Sequence, residues 1–269
     1  MAVAKYLQKF NIKINELWFV KEEDQGINDC DIFMYAGMAN PPEGYGKNIL
    51  VRHGKTLVND LRMSEDELLK EVNGNTRAKI KKAEKEELCI EFYDSGFIKQ
   101  NPYILDDFIE YYNAFVDSTK GSAGLEKKNM VIYKAYLDAE ILAITCAKYK
   151  GERIIYHAYL MNGNYVRLNA SASVFRNFDE EQQKINNLAN CLLHWRDMMA
   201  FKQLGYERYD WGGYSDLESL RGINQFKRGF GGTLADIYAY SIPHTILGSA
   251  VVLLLRIREQ IQERREHEA

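Results

Sequence analysis

The chain is poor in cysteine, and its cysteines form no pattern. Cys30, Cys89, Cys146 and Cys191 lie far apart, with neither C-x-x-C nor His–Cys spacing. That argues against a disulfide framework and a thiolate zinc site, and a reducing cytoplasm is the expected setting. The five histidines, His53, His157, His194, His244 and His267, show no ligand spacing either, so no metal is expected. A basic excess is missing too. The 35 Lys and Arg stand against 38 Asp and Glu, a net charge of −3 with a pI near 6.0, so no global field draws the chain onto nucleic acid. No apolar h-region follows Met1–Tyr6, so no signal peptide is expected. Nothing repeats at solenoid periods, and no low-complexity linker divides the sequence.

Long hydrophobic runs are also lacking. Ile246 to Leu255 has ten residues, about half of the roughly 20 that span a bilayer. It continues into the charged segment Arg256–Ile261. Residues 243–269 are therefore expected to form a C-terminal amphipathic helix with three placements open: packed on the domain, packed on a second subunit in a homodimer, or lying as a peripheral foot on the inner face of the membrane.

What is present reads as an ordinary globular protein, 46% apolar and 27% charged, long enough for one large domain or two small ones. Strands are expected at Glu16–Lys21, Asp31–Ala36, Asn48–Asp60 and Leu88–Tyr93, with a loop at Asn40–Gly46. Ser64 and Glu67 form a capping box that starts a helix, and Asn73-Gly74-Asn75 separates it from a second helix, Thr76–Glu87. Leu105, Phe108, Ile109, Tyr112, Phe115 and Val116 mark one face of another helix. Val131–Leu137, Ile141–Tyr149 and Arg153–Met161 are expected as an antiparallel meander. A helix over Leu188–Leu204, a strand Tyr206–Trp211, a helix Leu217–Phe226 and a strand Thr233–Tyr240 follow.

The densest stretch is Leu188–Gly232. It carries Tyr209-Asp210-Trp211-Gly212-Gly213 and then Phe226-Lys227-Arg228-Gly229-Phe230-Gly231-Gly232, two glycine-flanked turns with one Asp and one Lys. The run from Gly205 to Gly213 and the run from Gly222 to Gly232 resemble the closing signature of the FemAB/FemX group, peptidoglycan-bridge aminoacyltransferases built from GNAT-like domains. Upstream, Asn75-Thr76-Arg77-Ala78-Lys79-Ile80-Lys81-Lys82-Ala83 resembles the group's Arg-x-x-Ile-x-Lys-Ala helix. The resemblance implies an α/β (α+β) GNAT-like fold, a mixed, mainly antiparallel sheet flanked by helices. It implies an abbreviated N-terminal GNAT-like half over 1–100 and an acyltransferase domain over 101–242. The sequence departs from the group in its short first half and its missing coiled-coil arm. It also lacks the Arg-x-x-Gly-x-Gly/Ala turn that holds the CoA pyrophosphate in ordinary GNAT enzymes; Arg167-Leu168-Asn169-Ala170-Ser171-Ala172-Ser173 stands there instead.

Acyl transfer to an amine requires that two substrates be held together, that the amine lose a proton, and that the tetrahedral oxyanion meet donors. Lys227, between a helix end and a glycine turn, is the candidate charged donor, or else a solvated turn lysine. Asp210 is a candidate base or acceptor-orienting group, or a pin for the Gly212-Gly213 turn. Trp211, Tyr214 and Phe230 are expected either to wall an acceptor pocket or to lie in the core. Arg167, Asn169, Ser171 and Ser173 are expected to follow the third meander strand, where a GNAT fold admits the pantetheine arm, and either to bind the cofactor or to form an ordinary loop. A helix starting near Asn186-Asn187-Leu188 would then aim its amides at the donor phosphates. The basic helix around Arg77 is either a solvated face or a phosphate-binding one. His157 is expected as a satisfied core residue, and Tyr156 and Tyr159 as alternative general acids.

The sequence thus leads to an N-acyltransferase using acyl-CoA, acetyl-CoA in the simplest case, without a metal. Its expected acceptor is a small or lipid-linked amine, such as an amino sugar or amino-acid unit of a cell-envelope polysaccharide. An aminoacyl-tRNA-dependent transferase is the alternative, opposed by the acidic net charge and short chain. A non-catalytic GNAT-like scaffold is the third reading.

Overall fold

The computed structural model describes residues 2–20, 29–44, 48–119, 125–173 and 179–267, with side chains as far as Ile261. Lys21 and Tyr45–Gly46, at the ends of two expected elements, lie outside the described residues. The elements run β1 (Ala4–Gln8), β2 (Ile12–Trp18), β3 (Ile32–Met38), β4 (Leu50–Asp60), α1 (Glu65–Glu71), α2 (Gly74–Ala83), β5 (Leu88–Tyr93), α3 (Ser95–Gln100), α4 (Tyr103–Ser118) and α5 (Met130–Asp138). They continue with β6 (Leu142–Tyr149), β7 (Glu152–Asn162), β8 (Tyr165–Ala172), α6 (Glu180–Gln203), β9 (Arg208–Tyr214), α7 (Arg221–Arg228), β10 (Thr233–Pro243) and α8 (Ile246–His267).

The chain forms two compact units, Met1–Lys55 with Asp236–Ala269, and Thr56–Ala235. β4 and β10 each give residues to both units. In the first unit the strand order is β1-β2-β3-β10-β4, and in the second it is β4-β9-β8-β7-β6-β5. Pairing is mainly antiparallel, with β2–β3 and β8–β9 parallel. This is the mixed α/β arrangement expected from the sequence.

In the second unit the core gathers on α6. Its Leu188, Leu192, Trp195 and Met199 recur at helical spacing and pack with Tyr159, Phe201, Tyr209, Trp211 and Phe230. β6 is buried from Leu142 to Ala147, as an interior strand covered on both faces must be. The capping box at Ser64 forms as expected: the Glu67 amide donates to Ser64 Oγ at 3.3 Å, and Glu67 Oε2 accepts from the Ser64 amide at 2.8 Å.

Two elements differ from the sequence expectation. Val131–Leu137, expected as a strand, is helix α5. Its buried residues Tyr133, Tyr136 and Leu137 fall at i, i+3 and i+4, and the Asn129 side chain caps the Val131 amide. The β-branched pair Val131-Ile132 masks that period. Conversely Arg167–Ala172, expected as a loop, belongs to strand β8. Buried Val166, Ala170 and Ala172 alternate with less buried residues, but a bulge at Asn169 interrupts the register and hides the two-residue period. The meander is therefore β6–β7–β8.

Candidate functional site

β8 and β9 pair in parallel from Tyr165/Arg208 to Arg167/Asp210, and the site is built at the end of that pairing, on Asp210 and the turn that follows it. Arg167 Nη1 donates to Asp210 Oδ2 at 2.7 Å, and the pair is largely buried, with side chains 15% and 6% exposed. Asp210 Oδ1 accepts from the Gly212 amide at 2.7 Å and also from the Thr56 hydroxyl, which lies 2.8 Å from the Gly212 carbonyl oxygen. The carboxylate is thus committed to three groups of the protein and holds both Arg167 and the turn in place. Gly212 is required there. Its φ is +75°, and a Cβ would sit 2.9 Å from the Leu168 carbonyl oxygen. Gly212→Ala is expected to lower stability by about 1–3 kcal/mol, read as a lower urea midpoint with an unchanged m value.

Lys227 lies in the last turn of α7, and its Nζ donates to the Gly213 carbonyl at 2.6 Å. Burial lowers its pKa to about 8, the Arg167 charge adds to the shift, and Asp210 opposes it. Arg167, Asp210 and Lys227, three residues singled out from sequence, are therefore one electrostatic group. Tyr214 stands beside them only indirectly: its hydroxyl accepts from Arg228 Nε, whose guanidinium also stacks on the ring.

Other expectations are corrected. Trp211 and Phe230 are 1% and 0% exposed, so they wall no open pocket. The Trp211 indole donates to Asn59 Oδ1 at 2.6 Å and packs against the Phe230 ring, 4.8 Å between centroids. Of the four residues expected as one cofactor row, Arg167 pairs with Asp210 of β9 and two others bond to different helices. Asn169 accepts from the Tyr133 hydroxyl of α5, whereas Ser173 donates to Asn186 of α6 at 2.8 Å. Ser171 opposes His157 in the β7–β8 ladder. The helix expected to begin near Asn186 begins at Glu180. Its first amides are capped by Asp179 in a capping box, and Glu180 and Glu181 fill its first turn. Those carboxylates already occupy the positive end of the helix and oppose a phosphate there.

Alongside α6 runs a cavity of about 640 Å³ whose lining includes Lys79, Ser173, Asn186, Asn187, Asn190 and Phe226. Lys79 Nζ donates to Asn187 Oδ1 at 3.0 Å, which ties α2 to α6. Phe226 precedes Lys227, so the cavity and the lysine share helix α7. Arg77 lies exposed on α2, 3.4 Å from the Leu69 carbonyl oxygen, and does not line this cavity. A larger cavity, about 810 Å³, lies by the β6–β7 turn between Tyr111, Arg153 and Ile185, and none of the expected site residues lines it.

A buried polar network underlies the site. Asp197 Oδ2 accepts from Tyr159 OH at 2.6 Å and from Thr145 Oγ1 at 3.1 Å, and it lies 2.8 Å from His157 Nδ1. Tyr159 OH meets Tyr209 OH at 2.8 Å, and Tyr209 OH meets His194 Nδ1 at 3.2 Å. Burial raises the Tyr159 and Tyr209 hydroxyls well above their ordinary range. Burial, with His157 and Lys227 nearby, lowers His194 well below its own. His157 is thus the satisfied core residue expected from sequence. Tyr159 keeps its proton inside the network, and Tyr156 donates to Asp107 at 2.9 Å. His157, His194 and Asp197 each bring one metal-ligating atom within 4.8 Å of the others. Sequence reading missed Asp197 and Thr56. The visible signal was Tyr156, His157 and Tyr159 in the otherwise apolar middle of β7, Ile154–Met161.

No family model matches this sequence, and no curated protein matches it. Among solved structures it is similar to FemX, at 12% identity and TM-score 0.56 over 86% of this chain and 82% of that one. The chain has the FemX fold. The same fold is found in the C-terminal domain of a protein described as a lysylphosphatidylglycerol synthetase from Agrobacterium fabrum, at 10% identity and TM-score 0.55 over 94% of this chain and 87% of that one. The L-PGS of Bacillus licheniformis matches at 8% identity and TM-score 0.52, over 94% and 88%. The resemblance drawn from Asn75–Ala83 and Gly205–Gly232 therefore holds for the fold. Within the FemX fold of this chain, no helix of the described residues is long and apolar enough to cross a membrane.

Proposed function

We propose that this protein moves an acyl group from an activated donor to a primary amine beside the Arg167–Asp210 end of the β8–β9 pairing. The observation that carries this reading is Lys227, a half-buried ammonium lowered to about 8 beside Arg167, with its Nζ at the Gly213 carbonyl. A cation held beside the Arg167–Asp210 pair is suited to a carbonyl oxygen that gains negative charge. In the reaction the acceptor nitrogen attacks the donor carbonyl carbon and the C–N bond forms. The oxyanion is met by the Lys227 ammonium. The bond to the donor sulfur or oxygen then breaks, and the leaving group takes up the proton released by the amine. Asp210 acts as a positioning residue, since its carboxylate is committed to Thr56, Gly212 and Arg167.

The cavity along α6 supports an acceptor rich in hydroxyl or amide groups. Asn186, Asn187 and Asn190 offer carboxamides, Lys79 a cation, and Phe226 a ring face. An amino sugar or amino-acid unit of an envelope polysaccharide, free or lipid-linked, has that chemistry. Acyl-CoA is the first donor to test. Aminoacyl-tRNA is the second, favoured by the exposed Arg77, Lys81, Lys82 and Lys85 of the α2 segment. Acetyl-CoA at about 100 times its dissociation constant adds roughly 2.7 kcal/mol of stability and raises the melting temperature. Stabilisation by aminoacyl-tRNA alone selects the second donor, and stabilisation by neither removes the proposal.

A further inference from the structure

We propose that α8 is a dimerisation helix, and that its outward apolar face packs on the same helix of a second copy of this chain. Thr245 caps the helix, its Oγ1 accepting from the Gly248 amide at 3.0 Å. One face is spent inside the first unit. Val252 is fully buried, and a Cβ at Gly248 would lie 2.0 Å from the Asp31 carbonyl oxygen, so the helix touches its own unit backbone to backbone. Glu259, on that side, accepts from Arg52 Nε at 2.7 Å.

The opposite face is equally apolar and uncovered. Ile246, Leu247, Leu253, Leu254, Ile257 and Ile261 are between 44% and 92% exposed. Leu247, Ala250, Leu254, Ile257 and Ile261 recur at alternating spacings of three and four, the 3.5-residue period of a helix seam, and Ile246 and Leu253 widen the stripe on one side. That period selects a helical partner over a flat surface. The charge balance argues against a lipid surface: from Arg256 onward four arginines stand against four glutamates, which gives no net pull towards anionic lipid. Covering the six side chains removes roughly 600 Å² per copy, about 1,200 Å² in all, the lower end of specific interfaces. A two-fold pairing uses the same patch on both copies and leaves neither half of the stripe exposed.

Sedimentation velocity on the full chain at micromolar concentration tests this, with Leu254→Glu/Ile257→Glu as the comparison and Leu254→Gln/Ile257→Gln as a milder pair should the first fail to fold. A wild-type dimer and a monomeric variant of unchanged circular dichroism are expected. A monomeric wild type, or a variant that still dimerises, overturns the proposal. So does binding of the wild type, and not the variant, to phosphatidylglycerol vesicles, which would give the face to a membrane. None of these outcomes depends on the transfer chemistry.

Discussion

Lys227→Ala is expected to lower kcat by about 10²–10³-fold, the loss that follows removal of one oxyanion donor, with a smaller change in KM. The pH dependence makes the test specific. The ammonium is the active form, and burial beside Arg167 places its pKa at about 8, so activity falls as pH rises through about 8. Lys227→Arg keeps its charge over that range and is expected to lose the alkaline limb while retaining part of the rate. Stability moves the opposite way. An unfolded lysine holds its proton to about 10.4, so between about 8 and that value the unfolded chain binds more protons than the folded one, and the burial penalty fades as pH rises. Lys227→Met is therefore expected to melt higher than the wild type at neutral pH and to lose that advantage in the alkaline range. A lysine that served only to stabilise its turn would show a lower melting temperature on substitution and no alkaline limb.

Asp197→Ala is expected to cost about 3–5 kcal/mol, since each buried polar group left without a partner costs about 1–3 kcal/mol. The change strands three groups at once. His157 loses its Nδ1 partner, and Tyr159 and Thr145 lose the oxygen to which they donate. His157 is 0% and Asp197 1% exposed, so water does not replace the lost bonds. For a unit of this size each kcal/mol lowers the melting temperature by about 2–4 °C, so a fall of about 10 °C or more should appear in a thermal scan. Asp197→Asn keeps one acceptor oxygen and should fall less. An unchanged melting temperature in Asp197→Ala would show that the network contributes nothing to holding β7, α6 and β9 together.

The sequence was legible where local chemistry and global packing agree. Ser64 and Glu67 announce the start of α1 because both halves of that capping box lie within four residues. β5 matches its expected span, Leu88–Tyr93, because bends bound a run with strong strand propensity. α5 and β8 were misread for complementary reasons. The first is a short helix rich in β-branched residues. The second is a strand with small residues at its buried positions and a bulge in its middle, so neither shows a clean period. At the site, Arg167, Asp210 and Lys227 could be named singly from their glycine turns and the resemblance, but not joined. Thr56, which meets Asp210 and the Gly212 carbonyl, stands 154 residues before Asp210, a separation that no local pattern encodes. Trp211 and Phe230 show the limit from the other side, since an aromatic beside a glycine turn reads alike in a core and in a pocket wall until its neighbours are placed.

The proposed transfer is tested most directly by mixing the protein with a radiolabelled acyl donor, acetyl-CoA in one arm and aminoacyl-tRNA in the other, and a panel of amino sugars and amino-acid amides. The products are then resolved by chromatography. A labelled amide formed by the wild type and lost in Lys227→Ala is the expected result. No labelled amide in either arm, or equal amounts from Lys227→Ala, would contradict acyl transfer at this site.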